Sequence, residues 1–262
     1  MVQVIFEITY SCPGNCPFCP IKRLNLNGKL LPLADYRRIL EVFRKYFKSK
    51  EYAAVLSGGE PGTVSFLKDY VDVARELGYV VTIATNAFNP KRIIEAKPDL
   101  VEVSIDYFGP KHDETRGVKG LFGKAMNLLK LATKSGIAAV LRSTAMKDNI
   151  QDIIMLREYL NSNGLRDIPI LVMPVRGAPK LKPSPRQLEL LNKDGIIVSD
   201  NCPAGKTSFV ITPDREILAC IFYRKKLGQF YRFTKEELEK AVKEGEKIPR
   251  FPCEIITTHM LS

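Results

Sequence analysis

Short apolar runs alternate with amphipathic segments along the first two thirds of the chain. Six apolar runs of strand length predict β-strands at residues 2–8, 53–56, 80–84, 100–105, 138–143 and 170–173. Apolar residues at helical spacing predict α-helices between them, at residues 33–48, 64–77, 90–96, 120–135 and 150–161. Strands that alternate with helices favour an α/β fold with right-handed crossovers and a parallel sheet. The pattern leaves open whether that sheet is doubly wound or curls into a partial barrel.

The pattern changes after residue 177. Three prolines lie between residues 179 and 185, which predicts a linker or a crossing loop. Residues 207–212 and 216–220 predict a β-hairpin with Pro213-Asp214-Arg215 at its tip, and a charged helix follows at residues 235–243. We therefore expect a core domain at residues 1–177 and a small C-terminal α+β appendage at residues 178–262.

The composition is that of a globular cytoplasmic protein. Its hydrophobic content of 45% is ordinary and supports a core. No apolar run reaches the roughly 18 residues that a membrane-spanning helix needs, and no secretion signal is visible at residues 1–7. In a cytoplasmic compartment thiols stay reduced, so clustered cysteines indicate metal binding or catalysis rather than disulfides.

The chain is basic. Forty Lys and Arg residues against 29 Asp and Glu residues give a net charge of +11, which favours an anionic partner such as a nucleotide, an acidic peptide, nucleic acid or an acidic reductase. Only residues 224–226 form a basic run, however, so a dispersed, solvated basic surface is the preferred interpretation. Nucleic acid is not expected as a partner.

Three cysteines, Cys12, Cys16 and Cys19, follow the first predicted strand with the spacing C-x3-C-x2-C. A disulfide cannot use three cysteines, so the loop favours metal binding. Structural zinc sites normally have four protein ligands, and no fourth candidate lies nearby, since His112 and His259 are distant in the sequence. Three thiolates fit an iron–sulfur cluster with one open iron better than they fit zinc.

This loop, with Phe18 before its third cysteine, resembles the signature of the radical S-adenosylmethionine (radical SAM) enzymes. In that family the three thiolates hold a [4Fe–4S] cluster, and its open iron binds SAM. An electron from the cluster cleaves SAM to a 5′-deoxyadenosyl radical, which abstracts a hydrogen atom from a substrate. The resemblance implies a partial (β/α)6 barrel, in which functional groups collect at the carboxyl ends of the strands.

Two segments after predicted strands extend the resemblance. Gly58-Gly59-Glu60-Pro61 resembles the family's GGEP motif, whose backbone meets the methionine part of SAM. The resemblance implies that Glu60 contacts the SAM ammonium group. Thr85-Asn86-Ala87 matches a recurring Thr-Asn-Gly with the glycine replaced.

A third run resembles the subgroup that includes peptide maturases and the GTP cyclase of molybdenum cofactor synthesis. It consists of Ser104-Ile105-Asp106, then His112-Asp113 and Arg116-Gly117. For His112 we expect a loop position and a structural hydrogen bond rather than a role as a base. Together the motifs imply six cofactor-binding residues: Gly58, Gly59, Glu60, Asn86, Ser104 and Asp106. Arg142, a polar residue at the end of the fifth predicted strand, is a seventh candidate because polar side chains at strand ends can hold the ribose and carboxylate of SAM.

The other three cysteines lie in the C-terminal region, with Cys202 and Cys220 flanking the predicted hairpin and Cys253 following the last predicted helix. The pattern resembles the start of a SPASM or twitch domain, which implies a second [4Fe–4S] cluster at these three cysteines. The fourth ligand would be substrate or a residue such as His259. The alternative is three buried or free cysteines.

The sequence thus predicts a radical SAM enzyme that acts on a peptide or small anionic substrate. Its partners would include an electron donor such as ferredoxin or flavodoxin, and no membrane. Two alternatives stay open: a radical SAM enzyme of nucleotide or cofactor biosynthesis, and a non-enzymatic metal or redox-sensing module. The ordered motifs at successive strand ends disfavour the second alternative, because a zinc module needs no SAM pocket. No motif marks the residues that select the substrate.

Overall fold

The computed structural model describes residues 1–26, 28–176, 178–199 and 203–249. The described strands are β1 (Val2–Thr9), β2 (Tyr52–Gly58), β3 (Val80–Thr85), β4 (Leu100–Ser104), β5 (Ala138–Ala145), β6 (Ile170–Pro174), β7 (Ile196–Val198), β8 (Ser208–Ile211), β9 (Glu216–Leu218) and β10 (Lys226–Gln229). The described α-helices are α1 (Pro20–Arg23), α2 (Leu33–Tyr46), α3 (Leu67–Glu76), α4 (Pro90–Glu95), α5 (Pro110–Arg116), α6 (Leu121–Lys134), α7 (Ile150–Ser162), α8 (Pro185–Glu189) and α9 (Lys235–Glu246).

These strands form one sheet in the order β10-β9-β8-β1-β2-β3-β4-β5-β6-β7. Strands β1 to β7 pair in parallel in chain order, and helices connect most of them. The six predicted strands and the alternating α/β pattern are therefore confirmed. Parallel pairing brings the carboxyl ends of β1 to β6 to one rim of the sheet, where the unusual sequence motifs follow.

The sheet curls into a partial barrel. Gln3 and Ile5 of β1 line the same cavity as Arg142 of β5 and Met173 of β6. Three strands separate β1 from β5 in the sheet, so residues of both can share a cavity only if the sheet bends toward itself. On the other face, Val4 and Phe6 are fully buried in the hydrophobic core.

The C-terminal strands continue this sheet. Strand β8 pairs in parallel with β1, and β9 pairs antiparallel with β8 as the predicted hairpin requires. The C-terminal region also packs into the core, since Phe43 of α2 contacts the rings of Phe209 and Phe230 at centroid distances of 5.8 and 6.5 Å. The division of the chain at residue 178 stays a prediction.

One sequence expectation about local structure is wrong. His112 and Asp113 were expected in a loop, and they lie in α5. Pro110 at the first turn is pre-organised for a helix, and Gly117, with φ at +69°, ends it in the left-handed conformation that glycine favours. In the described part of the chain no helix is long and apolar enough to cross a membrane.

Candidate functional site

The cysteine loop begins at the carboxyl end of β1 and runs into α1. Cys19 is the residue that caps α1, and its carbonyl accepts a hydrogen bond from Arg23 N at 3.1 Å. Cys19 N donates to Cys16 O at 3.2 Å, which closes a turn between the last two cysteines. The three thiols thus lie on one short segment, at the rim of the sheet that the carboxyl ends of β1 to β6 form.

The two glycines at the end of β2, Gly58 and Gly59, lie against one side of this loop. Gly59 N donates to Thr9 O at 2.6 Å, and Glu60 N donates to Ser11 O at 2.8 Å. A Cβ atom would lie 2.5 Å from Thr9 O if added at Gly58, and 2.3 Å from Ser11 O if added at Gly59. Gly58 also has φ at +111°, which favours glycine. Gly58 is therefore required by its close approach to the end of β1, and Gly59 by its close approach to the start of the cysteine loop.

Glu60 joins the ends of β2 and β3. Its side chain is fully buried, and it accepts hydrogen bonds from Gly62 N at 2.8 Å, Thr85 Oγ1 at 2.5 Å and Asn86 N at 2.7 Å. Burial raises the pKa of this carboxyl group, while the three hydrogen bonds act in the opposite direction. Glu60 therefore braces the turns on which the loop rests.

Asn86 connects that brace to a cysteine. Its Nδ2 lies 3.7 Å from the Sγ of Cys12, and Gly14 N donates to the same sulfur at 3.3 Å. The next residue, Ala87, has φ at +66°, the left-handed conformation that favours glycine. The replaced glycine of the Thr-Asn-Gly pattern thus stands at a position where glycine would fit without strain.

A buried ion pair holds the other side of the loop. Arg116 donates to Asp106 Oδ2 from Nε at 3.0 Å and from Nη2 at 2.6 Å. The exposed fractions of the two residues are 8% and 1%. Thr144 N donates to the other carboxylate oxygen at 3.0 Å, and Arg116 O accepts from Asn15 N at 2.8 Å. Asp106 therefore positions the residue that binds the middle of the cysteine loop.

His112 supports the same corner. Its Nδ1 accepts a hydrogen bond from Asp106 N at 3.2 Å, and the residue is fully buried. Burial, with a smaller contribution from the nearby Arg116, lowers its pKa to about 4. His112 is therefore neutral at pH 7 and makes a structural hydrogen bond.

The loop fits a metal–sulfur centre in its donor chemistry. Burial raises the pKa of Cys12, and it raises the pKa of Cys16 to about 11. Thiols in such an environment become thiolates only when a cationic centre compensates their charge, as iron does in a cluster. Among the described residues, no three His, Cys, Asp or Glu side chains are grouped closely enough to bind one metal ion. The three cysteines therefore do not form a site for a single ion, and their fit to a metal–sulfur centre rests on their chemistry as thiolate donors.

Ser104 and Arg142 occupy paired positions on β4 and β5. Among the described residues, no hydrogen bond joins either of them to the cysteine loop. Arg142 Nη1 binds Glu102 Oε2 at 2.8 Å inside the barrel. Arg142 also lines a cavity of about 240 Å³ together with Arg176, Phe222 and Cys220. Arg142 thus lies in the barrel interior, between the strands and the C-terminal region.

Cys220 follows β9 on a turn whose residues 220–222 line this cavity. Phe222 N donates to its sulfur at 3.4 Å, and Arg224 N donates to its carbonyl at 2.9 Å. Cys202, Cys253 and His259 lie outside the described residues.

A bidentate ion pair that sequence reasoning missed anchors this turn to β1. Arg224 Nη1 and Nη2 bind the two carboxylate oxygens of Glu7 at 2.6 and 3.0 Å, and Glu7 is 1% exposed. A single acidic residue within the apolar run of β1 is a signal that could have indicated a buried partner.

The structure thus gathers most of the predicted site residues at one rim. On one side, the cysteine loop is contacted by Gly59, Glu60 and Asn86, and Gly58 packs against the end of β1. On the other side, Asp106 acts on the loop through Arg116. Ser104, Arg142 and Cys220 belong to the barrel interior and the turn above it.

Comparison with known protein families gives one match that covers much of the chain. The model described as the Radical SAM superfamily matches residues 6–160. This range contains the cysteine loop and all seven predicted cofactor-binding residues.

Two relatives illustrate the sequence similarity. Pre-heme d1 synthase of Dinoroseobacter shibae is 29% identical over 169 residues, which cover 62% of this chain and 41% of the relative. The sporulation killing factor maturation protein SkfB of Bacillus subtilis is 28% identical over 159 residues, which cover 58% of this chain and 38% of the relative. The matched regions therefore span about two fifths of these relatives.

A solved structure illustrates the similarity of fold. The crystal structure of Streptococcus suis SuiB bound to the precursor peptide SuiA superposes with a TM-score of 0.72 at 18% identity. The match covers 91% of this chain and 64% of SuiB. At this identity the likeness concerns the fold alone.

Proposed function

The chain belongs to the radical SAM superfamily, and from that premise we propose that it is an enzyme that cleaves SAM reductively and abstracts hydrogen from a peptide. With a [4Fe–4S] cluster and SAM bound, the site would supply a 5′-deoxyadenosyl radical at the mouth of the barrel. The cofactor performs this chemistry, and the protein binds, orients and shields it.

The cysteine loop is the proposed cluster site, with Cys12, Cys16 and Cys19 as its ligands. Contacts from both sides support this assignment, because Glu60 and Arg116 fix the loop backbone at Ser11 and Asn15. A loop held in this way presents its thiols with little freedom, which lowers the entropy cost of binding a rigid cluster. This clamped three-cysteine loop is the single observation that carries the proposal.

We assign the SAM side of the site to the residues predicted from the motifs. The groups that would face the cofactor are the backbone of Gly58 and Gly59 and the side chains of Asn86 and the half-buried Ser104. Glu60 and Asp106 are almost completely enclosed by protein donors, so their proposed contribution is to fix the turns that carry those groups. Arg142, which lines the interior cavity, would bind SAM at the place where the cofactor borders that cavity.

A second [4Fe–4S] cluster at Cys202, Cys220 and Cys253 is the further part of the proposal. The turn that carries Cys220 lies over the cavity, and Glu7 and Arg224 fix its position. The same turn approaches the cysteine loop, because Phe222 and Phe18 line one small pocket.

The peptide substrate is proposed from two kinds of support. SkfB is named as a maturation protein, and SuiB was crystallised with a precursor peptide. In this chain, the cavity combines apolar side chains such as Ile5 and Phe222 with two cationic ones, Arg142 and Arg176, and Arg142 is paired with the carboxylate of Glu102. That combination suits a peptide side chain with an apolar stem and an acidic end. The proposed compartment is the cytoplasm, a reducing environment in which the cysteine thiols stay reduced.

The experiment is anaerobic reconstitution with iron and sulfide, followed by incubation with SAM and a chemical reductant. We expect formation of 5′-deoxyadenosine, detected by mass spectrometry, and no such product from a variant with alanine at all three loop cysteines. Equal product from wild type and variant would overturn the proposal. Mass spectrometry of peptides recovered with the protein then tests the substrate class.

A further inference from the structure

Two neighbouring strands place a polar pair of side chains at the same level of the barrel interior. Gln3 of β1 and Ser208 of β8 are partners in the parallel register, and Ser208 Oγ donates a hydrogen bond to Gln3 Oε1 at 3.2 Å. Gln3 also pairs with Ala53 of β2, so its backbone lies inside the sheet between two strands. The amide of Gln3 is therefore held in position by its own strand and by Ser208.

This pair lines the interior cavity of about 240 Å³, and so do Ile5 and Val210. Ile5 and Val210 are also register partners, two residues further along β1 and β8. Side chains two positions apart in a strand lie on the same face, about 7 Å from each other. The cavity thus has a polar level at Gln3 and Ser208 and an apolar level beside it.

The side-chain amide of Gln3 has a donor to offer. Its oxygen accepts from Ser208, and among the described residues no hydrogen bond uses its Nε2 group. The two arginines of the same cavity are already engaged, since Arg142 binds Glu102 and Arg176 has an interaction of its own. Recognition at the polar level therefore depends on Gln3 Nε2, a neutral donor with two N–H groups, and not on free positive charge.

The polar pair lies at the end of the cavity that is remote from the cysteine loop. Gln3 precedes Thr9, the last residue of β1, by six positions, which is about 20 Å of strand. At the other end, Met173 and Phe222 line both this cavity and the small pocket that Phe18 of the loop also lines. A substrate group in the cavity can therefore extend from the loop side toward Gln3.

We propose that Gln3 is a specificity-determining residue, whose Nε2 binds an acceptor oxygen at the end of a substrate side chain with an apolar stem. The inference rests on the proposed function, in which the cavity receives a side chain of a peptide. Two side chains of that shape carry such an oxygen, the carboxylate of glutamate and the carboxamide of glutamine. The cavity is smaller than the roughly 300–1,000 Å³ of pockets that enclose drug-sized ligands, so it suits one side chain.

An apolar side chain of the same length would bind less tightly at this place. It would cover Gln3 Nε2 without accepting a hydrogen bond, and a donor that is buried without a partner destabilises the complex. Because Gln3 lies far from the cysteine loop, its contribution is to the capture of substrate rather than to the cleavage of SAM.

The test compares the wild type, Gln3→Leu, Gln3→Glu and a control, Gln151→Glu, each reconstituted anaerobically with iron and sulfide and supplied with SAM. Gln151 is exposed on α7 and does not line the cavity. The probes are four blocked tripeptides with Glu, Gln, Met or Lys between two alanines. Their affinities are measured by ligand-observed NMR titration, a readout that needs no turnover. Iron content and circular dichroism first establish that each variant is folded.

We expect the wild type to bind the Glu probe, the Gln probe or both roughly threefold to tenfold more tightly than the Met probe, the scale of one hydrogen bond. The stronger of the two identifies the source of the oxygen. Gln3→Leu should abolish the preference over Met. Gln3→Glu keeps an acceptor for Ser208 but replaces the N–H donors by a carboxylate, so it should weaken the Glu probe and strengthen the Lys probe. A merely structural role of Gln3 predicts no such exchange.

The control Gln151→Glu should bind all four probes as the wild type does. Equal affinities of the wild type for the Glu, Gln and Met probes would overturn the role of Gln3. So would a Gln3→Leu variant that keeps the preference, or a control that changes it as much as Gln3→Glu does. Gln3→Glu decides alone if Gln3→Leu does not fold. A wild type that binds no iron, or forms no 5′-deoxyadenosine from SAM, overturns the proposed function instead, whatever its affinity for the probes.

Discussion

The two cysteine-bearing parts of the described structure are attached to the barrel by different means. Backbone contacts hold the loop of Cys12, Cys16 and Cys19, with Gly59 and Glu60 on one side and Arg116 on the other. A side-chain ion pair between Glu7 and Arg224 holds the turn of Cys220. The first arrangement depends on backbone segments that approach each other closely, which glycine at position 59 permits. The second depends on two specific charges.

This difference explains why one region was far easier to identify than the other. Backbone contacts at very short range require glycine, so they leave a short, readable motif such as Gly58-Gly59-Glu60. An ion pair between residues 217 positions apart leaves only two ordinary charged residues in the sequence. We expect the two regions to respond differently to substitution.

The largest expected effect concerns the ion pair behind the first loop. Arg116→Met should lower the free energy of unfolding by about 3–5 kcal/mol, because it leaves the buried carboxylate of Asp106 without its cation. Urea denaturation measures this change. Arg142→Met is the matched control, since its partner Glu102 and its own side chain are more exposed, and it should cost about 1 kcal/mol or less. Similar losses for both variants would contradict the role given to Asp106 and Arg116.

The corresponding change in the second region is Arg224→Met, which leaves Glu7 buried and unpaired. We expect a loss of about 3 kcal/mol, at the lower end of that range because Arg224 itself is partly exposed. Hydrogen exchange should become faster in residues 219–225, while iron bound by the first loop stays unchanged. Loss of iron from the first loop would show that the two regions are coupled more tightly than their separate anchors indicate.

The glycine contact provides the third prediction. Gly59→Ala should destabilise the protein by about 2–3 kcal/mol and reduce iron binding. The added Cβ would lie 2.3 Å from Ser11 O, so the backbone of the cysteine loop would have to move. Gly123→Ala in α6 is the control, since a Cβ there meets nothing within 4 Å. That variant should gain about 0.5–1 kcal/mol from helix propensity. A neutral Gly59→Ala would mean that the turn after β2 does not clamp the loop.

The smallest effect depends on pH. His112 has its pKa lowered to about 4 from an ordinary 6.5, so the unfolded chain takes up a proton at higher pH than the folded protein does. This contribution to stability is complete above pH 6.5 and is lost as pH falls toward 4. Between pH 7 and pH 5 the loss should be about 2 kcal/mol. His112→Asn should remove that part of the pH dependence, and an identical profile for both proteins would contradict the buried, neutral histidine.

The sequence allowed much of the fold to be predicted, because the periodicity of apolar residues follows local geometry. The strands β1 to β6 and the β8–β9 hairpin were found in this way. Short strands such as β7 and β10 were not, since three or four residues carry too little pattern. The pairing of β8 with β1 also escaped prediction, because nothing local in either strand specifies a neighbour some 200 residues away.

For the site, the motifs named residues that the structure brings to one rim of the sheet, but they gave little information about the contacts of those residues. Glu60 was expected to face SAM, and its carboxylate accepts hydrogen bonds from Gly62, Thr85 and Asn86. Arg116 was read only as part of a motif, and its partner Asp106 became clear from the fold. Such roles depend on which groups face each other across strand ends, and no single stretch of sequence contains that information.

The most direct test of the central claim is the iron content of three reconstituted proteins. They are the wild type, a variant with alanine at Cys12, Cys16 and Cys19, and a variant with alanine at Cys202, Cys220 and Cys253. We predict about eight irons in the wild type and about four in each variant, as two [4Fe–4S] clusters require. A first variant that keeps all the iron of the wild type would contradict the assignment of the cluster to the clamped loop.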